Sequence, residues 1–468
     1  MQGVRIPNRE VGRTSTPARG SEKKTAEILI EQDEEVRRIV RKAAEEKQAD
    51  LEAWEWALRA AVLAGGARAL GEIISAIGIG KRNDPLKCSC GSVMESKGVR
   101  EKTLLTIMGP IIYRRSMYEC PSCSNISYPG DEGLDIVGTT RTPGLRRMMA
   151  RAGSNSTFKE ASEDLNIYAG VKVSAKDIER VAEGIGEHVT AWAEKEREEL
   201  IHSVAANDKE SVPILYVSYD DTGVPMTKGE LDGRKGKQPD GSAKTREAKL
   251  GCVFTQTTID EKGRAVRDPD STTFTGAIES AEKFGWRIYG EAVRRGLRSA
   301  GRVVTIGDGA EWVKNLANTH FSGATHIIDL YHAKEHVSNL CKLLFGNDEK
   351  QNVRYRTQWW TYLDYGQIEK ITRQAKRRLP NNRKITKEAL KEISYLKKNK
   401  ERMRYKDYRA EGLFVGSGVI EAGCKSVIGG RLKRSGMEWT VRGANAVISL
   451  RCMIKSDRFE DYWSERAA

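Results

Sequence analysis

Two acidic residues follow buried-strand segments and could take part in metal chemistry. Asp220 follows the run Ile-Leu-Tyr-Val-Ser-Tyr, and Asp308 follows Val-Val-Thr-Ile-Gly. A carboxylate at a strand end commonly caps the next turn or binds a cation, because burying it without a partner is costly. Capping explains most single acids of this kind. Two such acids in one sheet, each followed within three residues by glycine, favour a metal site.

A third carboxylate is expected on a helix beyond the sheet. Two acids at adjacent strand ends and one from a helix can hold two Mg²⁺ ions about 4 Å apart, which activates water for in-line attack on a phosphodiester. Glu421 fits this role, because glycines at 416, 418 and 423 allow close approach. The basic residues that follow it and are available to phosphate groups are Lys425, Arg431, Lys433 and Arg434.

Four of the eight cysteines form two close pairs. The pairs Cys88-Ser-Cys90 and Cys120-Pro-Ser-Cys123 are joined by strand-like sequence that suits a hairpin. Two such pairs on turns can place four thiolates around one zinc ion, which predicts a zinc ribbon. The first pair is one residue shorter than the usual spacing. Four unligated core cysteines are the alternative.

The positive charge of the chain is concentrated in one segment. The net charge is +14, and residues 370–410 contain 16 Lys or Arg against 4 Asp or Glu. This concentration indicates polyanion binding, since neutralising phosphates releases counterions. A solvated helix face is the alternative. Three tyrosines (Tyr395, Tyr405 and Tyr408) lie among the cations and favour nucleic-acid contact, because rings can stack on bases. The predicted DNA-binding residues here are Lys397, Lys398, Arg402, Arg404 and Lys406.

The elements that position these residues change along the chain. Residues from about 21 to 77 have a helical pattern that predicts an amphipathic packing or dimerisation arm. Residues 142–189 read as short helices, which form either a helix-turn-helix or a plain helical connector. From Val212, strands alternate with helices, which indicates an α/β domain. Strands are predicted at 214–219, 250–258, 303–306 and 326–330, and helices at 276–297 and 311–317.

Several protein classes do not fit the composition. The most apolar stretch, around 61–80, is interrupted by Arg68 and Glu72, so no membrane helix is expected. The polar N-terminal residues do not resemble a signal peptide. No Walker motif and no Ser-His-Asp signature stands out, so no nucleotide cofactor is expected. These features predict an intracellular protein of several domains.

Three separate blocks of the sequence resemble the catalytic blocks of ISKra-type insertion-sequence transposases. The blocks are Tyr-Asp-Asp-Thr-Gly-Val-Pro-Met at 219–226, Gly-Asp-Gly-Ala-Glu-Trp at 307–312 and Gly-Ser-Gly-Val-Ile-Glu at 416–421. The segment Arg-Leu-Lys-Arg-Ser-Gly-Met-Glu-Trp at 431–439 is similar to that family's extension of the last block. The resemblance implies a ribonuclease-H-like core, split by an all-helical insertion, with Asp220, Asp308 and Glu421 as a DDE triad that binds two Mg²⁺ or Mn²⁺ ions.

The residue patterns and the resemblance together divide the chain into segments. They are a disordered tail at 1–21, a helical arm at 22–80, a zinc ribbon at 81–135, a helix-turn-helix-like DNA-binding region at 136–205, the first part of the α/β core at 206–335, a basic helical insertion at 336–412, and the second part of the core at 413–468.

Two elements near the triad leave alternatives open. Asp221 stands where the family commonly has glycine, and Asp220 is favoured as the ligand because neighbouring strand residues face opposite sides. The segment Asp329-Leu-Tyr-His332 is similar to the D/C-x-x-H element of Mutator-like transposases. With His336 it could form a metal site, although a hydrogen-bonded pair that orients the active site is favoured. A purely structural histidine is the remaining alternative.

The resemblance implies a DNA transposase that cuts insertion-sequence ends and joins the exposed 3′-OH groups to target DNA. Its expected partners are transposon ends, target DNA and further copies of the chain, as a homodimer or larger homo-oligomer. Its expected location is the prokaryotic cytoplasm, associated with the nucleoid. The alternatives are a metal-dependent nuclease without strand transfer and a non-catalytic DNA-binding protein derived from a transposase.

Overall fold

The computed structural model describes residues 50–203 and 212–467, together with positions 34, 37–39, 41–42 and 45. It divides into two compact units, each described here by itself. The first comprises Met1–Ala152 and Phe158–Ile178, and the second comprises Gly153–Thr157 and Glu179–Ala468. The prediction of a disordered tail at 1–21 lies outside the described residues, as does most of the arm before residue 50.

The first unit is built on one long helix and an antiparallel hairpin. Helix α1 (Leu51–Ile77) begins where the Asp50 carboxylate accepts a hydrogen bond from the Ala53 backbone N–H at 3.0 Å. Strands β1 (Glu95–Thr106) and β2 (Gly109–Glu119) form the hairpin, and β3 (Ile126–Ser127) pairs with β2. The core between helix and hairpin consists of Ala67, Ile74, Leu104, Ile111, Tyr113 and Ile136.

Helix α1 is more apolar than the interruptions at Arg68 and Glu72 suggest. By length and composition alone it could cross a membrane, with a mean hydropathy of 1.5 over its most apolar window, of which 22% is buried. Arg68 and Glu72 do not interrupt this helix, because both lie within its 27 residues. One of its faces packs on the β1–β2 hairpin.

Helices follow the hairpin, as expected for 142–189, but the last one is long and extends to His202. They are α2 (Pro129–Gly133), α3 (Pro143–Asn155), α4 (Phe158–Asp164) and α5 (Ala175–His202). The Ser174 hydroxyl accepts a hydrogen bond from the Asp177 backbone N–H at 3.1 Å and so caps α5. A π-helical turn at Leu165–Ala169 and Gly170 (φ 70°) separate α4 from α5. This arrangement is compatible with both a helix-turn-helix and a helical connector.

The second unit contains a five-stranded mixed sheet. Its strands are β4 (Ile214–Pro225), β5 (Thr245–Gln256), β8 (Thr273–Ala277), β9 (Arg302–Gly307) and β10 (Thr325–Ile328). Their order across the sheet is β10-β9-β4-β5-β8. The pairs β4–β5 and β5–β8 are antiparallel, whereas β4–β9 and β9–β10 are parallel. A separate small hairpin is formed by β6 (Thr258–Ile259) and β7 (Ala265–Val266).

Two predictions about these strands were wrong. Strand β4 does not end at Tyr219: it continues to Pro225, because each residue from Ile214 onward has a partner on β5. The segment at 276–297 begins with the end of β8 and becomes helical only at Ala281, where the Ser280 hydroxyl caps the helix. The short strand β8 carries no strong alternation, so the sequence pattern did not separate it from the helix.

Helices cover both faces of the sheet. On one face, α6 (Ala281–Arg294) and α7 (Glu311–His320) bury Leu215, Val217 and Tyr219 of β4. On the other face, Tyr216 stacks on Phe254 with ring centroids 4.8 Å apart, and α15 (Val441–Lys455) packs along β8. The strands are therefore buried on both sides, which explains their continuous apolar runs.

A run of helices separates β10 from the last part of the unit. These helices are α8 (Leu330–Phe345), α9 (Glu349–Asp364), α10 (Ile368–Lys376), α11 (Arg383–Lys398) and α12 (Tyr405–Ala410). The chain then forms α13 (Gly418–Gly423), a π-helical turn at Cys424–Gly429, α14 (Gly430–Leu432), α15 and α16 (Phe459–Ala467).

Candidate active site

Asp220 and Asp308 lie at the carboxyl edge of two neighbouring parallel strands. Strand β9 pairs with β4 only as far as Ser218, opposite Ile306, so Asp220 lies just beyond the last pair. Asp308 follows β9 directly, and its carboxylate accepts a hydrogen bond from the Ala310 backbone N–H at 3.0 Å. Both side chains are half-buried. In open α/β sheets this edge is the usual position for a ligand.

Glu421 approaches the same region from α13. This short helix packs against β4 and β5, and a Cβ atom at Gly423 would lie 2.6 Å from Phe274 Cε1. A larger residue at 423 would push the helix away from the sheet. The Glu421 side chain is exposed and forms an ion pair with Lys425 Nζ at 2.8 Å.

Cys424 lies beside Asp220 in a buried position. Its Sγ lies 3.9 Å from Asp220 Oδ2, and burial raises the pKa of the thiol, which therefore stays protonated. The available signal was its spacing: Cys424 is three residues after Glu421, on the same side of a helical turn.

The electrostatics link the three carboxylates. The pKa of Asp220 is raised, first by burial and then by the negative charge of Asp308, with a further contribution from Glu421. The Asp221 backbone N–H, which donates to Asp220 Oδ1 at 2.8 Å, and the His332 side chain oppose this shift. The site therefore carries negative charge that the surrounding protein only partly balances.

Asp221 lies on the opposite face of the sheet from Asp220. Its cross-strand partner is Lys249, whose Nζ lies 5.4 Å from the centre of the Trp312 ring on α7. Burial, Glu247 and Asp220 raise the pKa of Asp221 to about 6. This position separates Asp221 from α13 and its glutamate.

The donor set of the triad fits Mg²⁺, which prefers carboxylate oxygens. A cation would also relieve the repulsion that raises the pKa of Asp220. Within the described ranges, however, the only group of His, Cys, Asp and Glu side chains drawn together as closely as metal ligands is the cysteine quartet. Glu421 pairs with Lys425, and Asp308 caps its own turn. Asp220, Asp308 and Glu421 are the residues that would hold Mg²⁺.

Asp329 joins two segments of the site rather than facing a ligand. Its Oδ1 accepts a hydrogen bond from the His332 backbone N–H at 2.7 Å, which caps α8. Its Oδ2 accepts from the Ser417 backbone N–H at 2.6 Å, just before α13. With 5% of its surface exposed and both oxygens occupied, Asp329 is not positioned as a metal ligand.

The two histidines of α8 are held by side chains. The His332 and His336 rings meet edge to face at 4.9 Å, and His336 Nδ1 lies 2.6 Å from Glu392 Oε2. A metal site made by these histidines and Asp329 is absent from the described residues. The Asp329–His332 hydrogen bond is made by the His332 backbone N–H, and the His336 ring is paired with Glu392.

Most of the predicted DNA-binding residues are exposed. Those exposed to solvent are Lys397, Lys398, Arg404, Lys406, Lys425 and Lys433, while Arg402 and Arg434 are half-buried. Lys398 forms an ion pair with Glu311 at 3.2 Å, and Lys433 contacts Thr222 on β4.

Two predictions about this basic region were wrong. Arg431 is fully buried: its Nε donates to the Gly153 carbonyl at 2.9 Å, and its guanidinium lies 4.9 Å from the Trp439 ring centre. Tyr405 and Tyr408 are also buried. Their rings pack in the core of the helical insertion and are not available to stack on bases. Because of the helical period, these tyrosines face away from the cations. Their alternation with cations in the sequence does not show this.

The four cysteines of the first unit come together at the end of the hairpin. Sγ–Sγ distances are 3.5 Å for Cys88–Cys123 and for Cys90–Cys120, and all four sulfurs lie within 4.8 Å of one another. Tetrahedral ligation of Zn²⁺ needs sulfurs about 3.8 Å apart, so the quartet fits this ion. The short first pair is accommodated by a turn in which the Gly91 N–H donates to the Cys88 carbonyl at 2.9 Å.

Comparisons with known proteins give three similarities. Residues 92–238 match the model of an uncharacterised protein family, UPF0236, which is less than half of the chain. A UPF0236 protein of Caldanaerobacter subterraneus subsp. tengcongensis is 23% identical over 384 residues, covering 78% of this chain and 70% of that protein. The Drosophila P element transposase strand transfer complex aligns over 68% of this chain and 80% of its own, with 10% identity and a TM-score of 0.22.

Proposed function

We propose that this chain is a DNA transposase that cleaves the ends of a mobile element and joins the 3′-OH groups to target DNA. The observation that supports it most is the placement of Asp220 and Asp308 just beyond two adjacent parallel strands, with the helix that carries Glu421 packed against β4. The sheet order β10-β9-β4-β5-β8 supports a ribonuclease-H-like core, since three antiparallel strands are followed by two parallel ones.

In this proposal the chain's own residues bind and orient the DNA. Asp220, Asp308 and Glu421 would hold Mg²⁺, which when bound activates a water or a 3′-OH and stabilises the leaving oxygen. Asp329 fixes the segment that carries Glu421 through its bond to Ser417. Lys425 and Lys433, exposed beside the acids, would bind the phosphates on either side of the cleaved bond.

The basic insertion would bind the DNA backbone away from the cleaved bond. Its exposed cations lie on helices α10 to α12, and Lys398 connects to Glu311, three residues after Asp308. Phosphate contacts of this kind position DNA without reading its sequence. We assign recognition of the element's ends to the zinc-ribbon and helix-turn-helix-like segments at 81–205.

The test uses the full chain with Mg²⁺ and a plasmid that carries the DNA flanking its own coding sequence. We expect free 3′-OH ends at defined positions and joined products in a target plasmid. Asp308→Asn and Glu421→Gln should lower both by about 100-fold or more, because loss of a metal ligand removes several kcal/mol of stabilisation.

The matched control is Glu311→Gln, an exposed acid close to Asp308 that lies outside the triad. It should retain cleavage. Cleavage without joined products would instead identify a nuclease. DNA binding without any cleavage would identify a non-catalytic binding protein.

A further inference from the structure

The ring of Tyr395 is fixed between the helical insertion and the loop that follows β9. Tyr395 lies on α11 and stacks on His336 of α8, with ring centroids 3.7 Å apart and an interplanar angle of 21°. His336 is itself held by Glu392 at 2.6 Å. This packing leaves the ring one orientation, with its hydroxyl directed at the loop.

The Tyr395 hydroxyl touches the residue next to Asp308. A Cβ atom built on Gly309 would lie 2.1 Å from Tyr395 Oη and 2.5 Å from its Cζ, so only glycine fits at 309. The hydroxyl is buried and has no hydrogen-bond partner among the described residues. Burying a hydroxyl in this way is unfavourable, and phenylalanine would fill the same space without that cost.

Asp308 acts on this hydroxyl electrostatically. Burial raises the pKa of Tyr395, and the Asp308 carboxylate raises it further. The tyrosine hydroxyl is a hydrogen-bond donor without an acceptor among the described residues. One Asp308 oxygen accepts the Ala310 N–H, which leaves the other oxygen to turn towards a cation or a donor.

We propose that Tyr395 is a positioning residue whose hydroxyl donates a hydrogen bond to the Asp308 carboxylate when that carboxylate turns to hold a metal ion. This role rests on the proposed function. Carboxylates that bind metals are commonly oriented by such outer donors. It also connects the insertion to the chemistry, because the helix that carries Tyr395 ends in the exposed cations Lys397 and Lys398.

The experiment is a Mn²⁺ titration of the full chain, followed by calorimetry, together with thermal unfolding in EDTA. Tyr395→Phe should weaken Mn²⁺ binding by about 10–100-fold. Its unfolding temperature in EDTA should stay the same or rise, because the metal-free protein loses only an unpartnered hydroxyl. If Tyr395 were only structural, Tyr395→Phe would not lower metal affinity and at the same time keep its stability.

Tyr405→Phe is the matched control. The Tyr405 hydroxyl is also buried without a partner among the described residues, and after burial its pKa is raised mainly by Tyr395 and Asp329, not by Asp308. Its removal should leave Mn²⁺ affinity within about twofold of wild type.

Three results would overturn the role of Tyr395. If Mn²⁺ binding depends on Asp308 but Tyr395→Phe binds normally, this role is wrong and the proposed function stands. If Mn²⁺ binding is absent, or insensitive to Asp308→Asn, the proposed metal site fails and this role with it. A marked fall in the unfolding temperature of Tyr395→Phe in EDTA would show that the hydroxyl is already bonded in the metal-free protein.

Discussion

Asp220 and Asp221 are neighbours in the chain but face opposite sides of the central sheet. Asp220 faces Cys424 and the segment of Glu421, whereas Asp221 pairs across the strand with Lys249. The strand alternation was predictable from the sequence, and it favoured Asp220 as the ligand. The burial of both acids was not predictable, because it depends on helices that lie far away in the chain.

Replacing Asp221 should stabilise the protein at neutral pH. Its pKa in the folded protein is about 6, above the value of about 3.9 for an unfolded chain. The folded state therefore binds more protons between these values, and stability falls as pH rises through that range. Asp221→Asn should raise the free energy of unfolding by about 1–2 kcal/mol above pH 7, measured by urea unfolding in EDTA.

The pH dependence is the control for this prediction. The gain should shrink as pH falls through 6 towards 4 and disappear near pH 3, where Asp221 is protonated in both the folded and the unfolded state. A gain of equal size at pH 4.5 and 7.5 would contradict the assignment, since the effect would then not come from ionisation.

Arg431 and Lys433 are two residues apart and should behave differently. Arg431 is fully buried and donates to the Gly153 carbonyl, so Arg431→Gln should cost about 3 kcal/mol of stability. Lys433→Ala should leave the unfolding temperature unchanged and weaken binding to duplex DNA in a salt-dependent way.

Thermal unfolding and DNA titration at two salt concentrations check both variants. A stable Arg431→Gln protein with reduced DNA affinity would support the original assignment of Arg431 to DNA contact. It would also contradict the buried position of this side chain.

At the scale of elements, Asp329 is the residue that ties α8 to the segment before α13. Its two oxygens accept backbone N–H groups from His332 and Ser417. The sequence placed Asp329 at a strand end entering a helix, which predicts a cap. Its second bond could not be predicted, because Ser417 lies 88 residues away and the helical insertion lies between them.

The Asp329→Asn variant distinguishes the two hydrogen bonds, because it can keep one and lose the other. Asparagine caps helices as well as aspartate does, so the bond to His332 can be kept. Its amide N–H₂ would then face the Ser417 N–H, and this bond would be lost. We expect faster amide hydrogen exchange at 415–421 and DNA cleavage lowered about 10-fold.

Asp329→Ala provides the comparison for this variant. It should lose the α8 cap as well, at a further cost of about 1 kcal/mol in stability. Unchanged exchange at 415–421 in Asp329→Asn would contradict the proposed tie.

The strands and helices differed in how well their sequences defined them. The apolar run at 303–306 predicted a strand, which the structure contains as β9. The length of β4 was underestimated, because its outer half pairs only with β5 and lacks the apolar run of its inner half. Strand β8 was missed, since its five residues are stabilised by β5 and α15 rather than by their own pattern.

At the scale of the whole molecule, the positive charge and the cysteine quartet lie in different segments. Most of the net charge of +14 lies in the helical insertion, and the quartet lies in the first unit. The concentration of charge in the insertion could be read from the sequence, as could the fourfold cysteine pattern. Whether the tyrosines contact nucleic acid could not be read from the sequence, because Tyr405 and Tyr408 are core residues. The direction of a side chain on its helix decides whether a tyrosine is exposed, and the alternation of tyrosines and cations in the sequence does not show that direction.

The cysteine quartet predicts one zinc ion per chain. Cys120 is buried, and its sulfur lies 3.5 Å from that of Cys90. Cys120→Ser should therefore remove the zinc and lower the unfolding temperature of the full chain. Elemental analysis of the purified protein measures the metal, and Cys341→Ser, a buried cysteine outside the quartet, is the control. Equal zinc content in wild type and Cys120→Ser would contradict the site.

The central claim is that Asp220, Asp308 and Glu421 form one metal-dependent active site. Anomalous diffraction from crystals of the full chain soaked in Mn²⁺ tests it most directly, because it locates the ion relative to each carboxylate. We expect an anomalous peak within ligand distance of all three side chains in wild type, and its loss in Asp308→Asn. A Mn²⁺ peak held by other residues, or no peak beside Asp220 and Asp308, would contradict this claim.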